Sequence, residues 1–243
     1  MAVSTIAEKR KDGYSIHGKK SFVLNASSAD SFVTLCKEPK EGWITLMVER
    51  EKKGIEVHPL DKMGLRMISF GDLLFKEVLV PLGNRIGREG EGLTHVDHCY
   101  QALGLKSAAQ ALGAAEGAFD RAMQYAKQRE QFGKKLSTFQ AIRHKLADIA
   151  ASIEVVRCLT YKAATEYDHK KIDPGFLSIT HLEVGRRLIS VVDEALQIFG
   201  GYGYIAEQTI EHYFRDAWAI GVELGTEEEQ KDAIAEVMIG PSQ

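Results

Sequence analysis

The chain has 243 residues and a formal net charge of −3, from 31 Lys and Arg against 34 Asp and Glu, with 44% hydrophobic and 27% charged residues. That is enough chain for one large domain or two small ones with a buried core, and a near-neutral balance gives no electrostatic footprint for nucleic acid. No apolar run approaches the roughly 20 residues that span a bilayer, and the opening MAVSTIAEKRKDGY lacks the apolar centre of a signal peptide.

Residues 12–80 carry short β-favouring runs between turn residues: YSIHG, SFVLN, SFVTLC, WITLMVE, GIEVHPL and DLLFKEVLV. They predict a small antiparallel barrel or sandwich. After Pro81 and the GREGEG turn the pattern becomes helical. Residues 92–131 lack proline and are rich in alanine and leucine, which predicts a long helix. Phe132-Gly133 stops it, and Ser137–Gln140 reads as a capping box opening a second helix to about His169. Asp173-Pro174 starts a third, which Gly200-Gly201 ends. A short helix is expected around 206–218, and Thr226–Glu229 is a capping box for a last helix to about Met238. The fold class is therefore α+β in two domains, with a β domain over 1–90 and an antiparallel helical bundle over 91–243. Apolar stripes such as Leu146, Ile149, Ile153, Val156 and Leu188, Val191, Val192, Ala195, Ile198 predict core faces and carry no chemistry.

The three cysteines, Cys36, Cys99 and Cys158, are widely spaced and odd in number. They suit a reducing, soluble compartment such as the cytoplasm better than a disulfide framework. His95 and His98, with Asp97 and Cys99 nearby, lack a second ligand cluster, so no metal site is expected. Three other segments concentrate unusual residues. Gln128–Lys135 with Gln140 gathers Arg129, Gln131 and Gln140 about a tight turn, and arginine and amides suit phosphates and planar heterocycles. Gln197–Tyr204 places three glycines at a helix end, where a ligand can approach the backbone. Glu223–Gln230 opens a helix after a glycine, although three glutamates already complement its dipole. Each segment taken alone reads first as a cap and turn.

Together they are more specific. FGKKLSTFQAIRHKLADIA, then ALQIFGGYGYIAEQTIEHYFRDA, then LGT in a helix-opening loop, resemble the acyl-CoA dehydrogenase family of flavoproteins. DGYSIHGKKSFVLNASSADSFV, Lys62–Arg66 and Phe75–Pro81 resemble that family's middle β domain, so the likeness covers nearly all of residues 6–240. It implies FAD as cofactor, an acyl-CoA substrate and α,β-desaturation of the thioester, with electrons passing to an electron-transfer flavoprotein. It also implies that Arg129, Gln131 and Phe132 contact the diphosphate and adenine end of FAD, with Gln140 at another contact. Gln197, Gly200 and Gly201 would reach the FAD of a neighbouring subunit, Phe22, Val23 and Leu24 would lie beside the flavin ring, and Thr226 and Glu228 would also touch FAD. Gly104, Leu224 and Gly225 would face substrate.

Four positions depart from the family pattern. Leu224 stands where the catalytic glutamate usually precedes GT, leaving Glu223, one residue earlier, as the candidate base. Leu103 stands at the alternative glutamate position, Gly104 where an arginine follows it, and Leu24 where a threonine hydroxyl usually bonds the flavin. A leucine cannot take a proton. Family chains also begin with a helical domain that precedes the part matched by this sequence. Either the sequence is a fragment or another polypeptide supplies that domain; a homo- or hetero-oligomer is expected, with the base supplied by a partner subunit. The alternatives are a non-catalytic structural subunit of such an assembly, or a flavin oxidase or monooxygenase on the same fold.

Overall fold

The computed structural model describes residues 5–40, 42–223 and 225–240. The chain divides into two compact units, the first ending at Cys99 and the second beginning at Tyr100. No helix among the described residues is long and apolar enough to cross a membrane.

The first unit is a seven-stranded sheet in the order β5-β6-β2-β1-β3-β4-β7. Its strands are β1 (Ile6–Arg10), β2 (Gly13–Leu24), β3 (Ser31–Glu38), β4 (Gly42–Glu49), β5 (Ile55–Pro59), β6 (Phe70–Pro81) and β7 (Arg85–Ile86). The pairs are antiparallel except β1 with β3, which is parallel at Ile6 opposite Lys37, so the sheet is mixed. β1 escapes the sequence pattern because IAEKR buries only Ala7. It forms because a two-residue turn folds it back on β2, with Arg10 opposite Gly13. Alternation then dictates the core: Phe32, Thr34 and Cys36 on β3, and Ile44, Leu46 and Val48 on β4, all point inward. On β6 the inward phase changes from Leu73 and Phe75 to Val78 and Val80. A bulge opposite His17 absorbs the extra residue, with Glu77 at φ 51°, and keeps all four on one face. One sheet thereby curls about a single buried cluster that includes Tyr14, Ile16 and Phe75. Each large apolar side chain so buried contributes about 1.5–3 kcal/mol.

The second unit is helical: α1 (Gly92–Gln128, whose first turns belong to the first unit), α2 (Gln140–Asp168), α3 (Pro174–Phe199), α4 (Ile210–Val222) and α5 (Glu227–Ile239). α3 packs against α2, α4 and α5. The expected stripes on α2 and α3 are its core, and α1 adds Ala108, Ala111, Ala115, Ala118, Ala122 and Ala126, small enough for close helix approach. Asp173 caps α3, accepting from the Gly175 N–H at 2.8 Å, with Pro174 in the first turn. Thr226 and Glu229 form the expected capping box on α5.

Three local expectations need correction. α1 ends at Gln128 rather than 131, because Glu130–Gln131 (β8) and Lys134–Lys135 (β9) pair as a hairpin. Ser137 caps nothing: Leu136–Thr138 is a 3₁₀ turn, the Thr138 hydroxyl donates to the Lys135 carbonyl, and α2 starts after Phe139. The helix expected from 206 starts at Ile210, because Ala206–Gln208 is a separate 3₁₀ turn ended by left-handed Thr209 at φ 59°.

Candidate functional site

The hairpin turn is Phe132-Gly133, with both residues at positive φ, 54° and 76°. That is the backbone a two-residue hairpin loop requires, and a bulky aromatic rarely adopts it. Phe132 is nevertheless there, 92% exposed, with only an edge contact to Phe139 at 6.4 Å. Just before the hairpin, Tyr125 stacks on Phe199 at 4.2 Å and joins the end of α1 to the end of α3. The Arg129 N–H donates to the Tyr125 carbonyl, and its guanidinium lies 5.1 Å from the Tyr202 ring centre. The result is a cleft of about 550 Å³ lined by Arg129 and Gln131 on one side and Gly200, Gly201 and Tyr202 on the other. Two motifs about seventy residues apart, read separately in the sequence, thus share one cleft on one chain. Gln140 and Gln197 are exposed.

The glycines at this helix end differ. A Cβ on Gly203 would strike the Leu196 carbonyl, so packing demands that glycine. A Cβ on Gly201 would meet nothing within 4 Å, and Gly201 has no positive φ. Nothing inside the chain requires it, and a glycine there leaves the backbone open to close approach by a bound group. A guanidinium, an amide and an unencumbered backbone around an open cleft fit the phosphate and heterocycle end of a dinucleotide. Arg129, Gln131, Gly200 and Gly201 could therefore hold FAD.

The second part of the site lies on α1 and the turn after α4. Leu103 is 45% exposed. Lys106 and Ser107, three and four residues on, lie on the same helix face. Both reach Glu223, whose side chain is 12% exposed: Lys106 Nζ is 2.5 Å from one carboxylate oxygen, and the Ser107 hydroxyl donates to the other. The candidate base is thereby engaged at both oxygens. Gly104 is buried against His181, and any Cβ there would collide with the imidazole. His181 lies edge-on to Tyr100, which accepts from Gln230 Nε2 at 2.8 Å. Burial pushes His181 down to about 4, opposed only weakly by the polar groups of Gly104 and Gln230 beside it, so it is neutral at pH 7. The sequence reading passed over His181. The available signal was a polar residue inside the buried stripe Leu177, Val184, Leu188.

Gly225 and Thr226 follow, and the Thr226 hydroxyl accepts from the Glu229 N–H. Glu228 is exposed and lies 3.9 Å from Lys231. Leu224 lies outside the described residues. Arg186 makes two hydrogen bonds to Glu227, at 3.0 and 2.8 Å, and holds that carboxyl down at about 2. In the first unit, Phe22 is 71% exposed and Leu24 38%, while Val23 packs partly against the sheet core. The His95 ring bonds Thr45 at 3.1 Å, and no group of three or more His, Cys, Asp or Glu among the described residues could hold a metal ion.

Comparison with known proteins completes the description. Residues 90–239 match the family model for the acyl-CoA dehydrogenase C-terminal domain, and residues 1–78 match that for its middle domain. The chain is similar to a short-chain-specific acyl-CoA dehydrogenase of Clostridium acetobutylicum, with 35% identity over 96% of this chain and 63% of the relative. It is also similar to a subunit of the caffeyl-CoA reductase–Etf complex of Acetobacterium woodii, 32% identical over 98% of this chain and 64% of that one. Among solved structures, butyryl-CoA dehydrogenase from Megasphaera elsdenii superposes with a TM-score of 0.93 at 35% identity, covering 97% of this chain and 63% of that one. The chain thus spans somewhat under two thirds of the length of these relatives.

Proposed function

The chain belongs to the acyl-CoA dehydrogenase family, and on that premise we propose that it is the FAD-binding part of an oxidoreductase that desaturates an acyl-CoA thioester between Cα and Cβ. The observation that carries this reading is the shared cleft: Arg129 and Gln131 face Gly200 and Gly201 on one chain. All four would then serve the same end of a single FAD, which revises the expectation that Gln197, Gly200 and Gly201 alone reach a neighbouring subunit's cofactor. Arg129 would pair with the diphosphate, its guanidinium already oriented over Tyr202. Gly201 would admit the cofactor to the backbone, and Gln131, Phe132, Gln140 and Gln197 would contact its remaining polar and planar parts. Phe22, Val23 and Leu24 would border the flavin ring, with Thr226 and Glu228 at a further contact. The chemistry supplied by bound FAD is acceptance of the hydride leaving Cβ. The electrons would pass on to an electron-transfer flavoprotein, in keeping with a relative that works in an Etf complex.

The proton at Cα needs a carboxylate base, and the chain's own candidate is committed elsewhere. Glu223 is held by Lys106 and Ser107, and Leu103 offers no acceptor. We therefore assign Glu223 to anchoring the loop before α5, and assign the base to a partner subunit or a further part of the protein. Gly104, Leu224 and Gly225 would border the substrate without reacting. A subunit that binds flavin without catalysing is the second reading, favoured by the same engaged carboxylate. The test is the absorbance of the purified full-length protein. Stoichiometric FAD, lost on Arg129→Ala, supports the reading, and a folded protein with no flavin affinity removes it. Turnover in an assembly that is unaffected by Glu223→Gln separates catalysis with a borrowed base from the non-catalytic subunit.

A further inference from the structure

The pairing of β2 with β6 has a second bulge, this one on β2 near its end. Lys20 pairs with Leu73 and Val23 with Gly71, so Ser21 and Phe22 together face the single residue Asp72 of β6. Phe22 sits there in the left-handed region at φ 57°, a strained conformation for a bulky side chain. Its ring finds little cover: it is 71% exposed and touches Phe70 at 5.8 Å between ring centres. Side-chain packing therefore does not hold this backbone. Asp72 does. One carboxylate oxygen accepts from the Phe22 N–H at 3.2 Å, the other lies 2.5 Å from Lys19 Nζ, and the Ser21 side chain adds a further hydrogen bond. Three partners, Lys19, Ser21 and Phe22, are satisfied from one side chain standing across the bulge. Beyond the bulge Asn25 is again left-handed at φ 58°, and its N–H donates to the Ser69 carbonyl at 2.7 Å. Val23 and Leu24 are thus bracketed by two left-handed residues, Phe22 and Asn25, each tied to β6 or the loop just before it.

Strain that a network of polar contacts holds in place, beneath an exposed aromatic, is the arrangement of a presented binding surface. We propose that Asp72 is a positioning residue: its carboxylate holds the left-handed backbone at Phe22 and so sets the surface that Phe22, Val23 and Leu24 present to the flavin. The inference rests on the flavin-binding reading above, and it assigns to Asp72 no contact with the cofactor. Lys19 beside it keeps the Asp72 carboxyl below the usual carboxylate range, so the acceptor stays ionised at neutral pH.

The test uses the full-length protein and two independent readouts. In the first, FAD affinity is measured for Asp72→Ala in the parent and in a Phe22→Gly background. Glycine adopts the left-handed region without help, so the carboxylate becomes redundant there. The expected result is a loss of about tenfold in the parent background and less than about twofold in the Phe22→Gly background. Asp72→Asn, which keeps one acceptor oxygen but loses the ion pair, falls between. An equal loss in both backgrounds, or no loss in either, overturns the proposal. In the second readout, amide exchange at Phe22 should quicken by about tenfold or more in Asp72→Ala. Unchanged exchange also overturns it. If the parent holds no FAD, the flavin reading falls, and the exchange experiment still decides what Asp72 does. If Asp72→Ala does not fold, Asp72→Asn carries both measurements.

Discussion

The cleft at Arg129 and the turn at Glu223 are both built where helices of the second unit end, yet they have been treated in opposite ways. Around the cleft stand Arg129, Gln131, Gly200 and Gly201, four of the residues that the family resemblance assigns to FAD, and the geometry leaves it open to a ligand: an oriented guanidinium, an exposed strained phenylalanine, and a glycine that no internal contact requires. Around the turn leucine stands at 103 and 224, where the resemblance implies a glutamate, Gly104 is filled by His181 where it implies an arginine, and the Glu223 carboxylate is tied to α1. Cofactor binding and proton removal are physically separable functions, and on the proposed reading this chain serves the first while its Glu223 carboxylate is tied up away from the second.

The largest expected effect would break that contrast. If the base lies elsewhere, as proposed, anaerobic mixing of the assembled holoprotein with a saturated acyl-CoA should bleach the flavin at a rate unaffected by Glu223→Gln. Leu224→Glu should raise the rate of a preparation lacking that base by about 10²–10⁴, the range of a general base. Stopped-flow bleaching abolished by Glu223→Gln with the fold intact would return the base to Glu223. Next in size, Arg129→Ala should weaken FAD binding by about ten- to a hundredfold. That follows from about 1.5–3 kcal/mol for a hydrogen bond to a charged group and about 1.4 kcal/mol per decade. Retention equal to the parent's would move the cofactor away from the cleft.

The turn region should also carry its own pH signature. His181 is buried neutral, with its pKa in the fold at about 4 against an ordinary 6.5. Between those values the unfolded chain binds more protons, so stability is complete above about pH 6.5 and declines as pH falls through about 4. From pH 7.5 to pH 5 the loss should be about 2 kcal/mol, and urea unfolding of His181→Gln should show a shallower slope. A slope identical to the parent's would mean that His181 is solvated. The smallest effect sharpens the anchoring role of Glu223. Lys106→Met and Glu223→Gln should each destabilise by about 1 kcal/mol, and the double variant should cost less than the sum. Strict additivity would show that the pair is not coupled.

Much of the fold was legible because it is written in local periodicity. Alternation marks β3, and β4 apart from buried Thr45, and apolar stripes mark α2 and α3. β1 was hidden because four of its five residues never enter the core. The inward phase of β6 shifts across Phe75–Val78, where a single bulged residue resets it. The false capping box at Ser137 arose from the right residue types at the right spacing, displaced by a 3₁₀ turn that only the hairpin before it explains.

The sequence by itself determined which residue types stand at each motif: an arginine at 129, glycines at 200 and 201, a leucine at 224, a glutamate at 223. Those are local facts, set by chain neighbours and by resemblance. Which of them act together was decided only by tertiary structure. Tyr125 against Phe199 draws Arg129 to Gly201. Lys106 and Ser107 close on Glu223 from more than a hundred residues away, and Asp72 reaches across fifty residues to the Phe22 N–H. Periodicity reports which face of an element is apolar. It does not report which partner that face meets, because the partner is chosen by packing and by the polar groups that packing must leave satisfied.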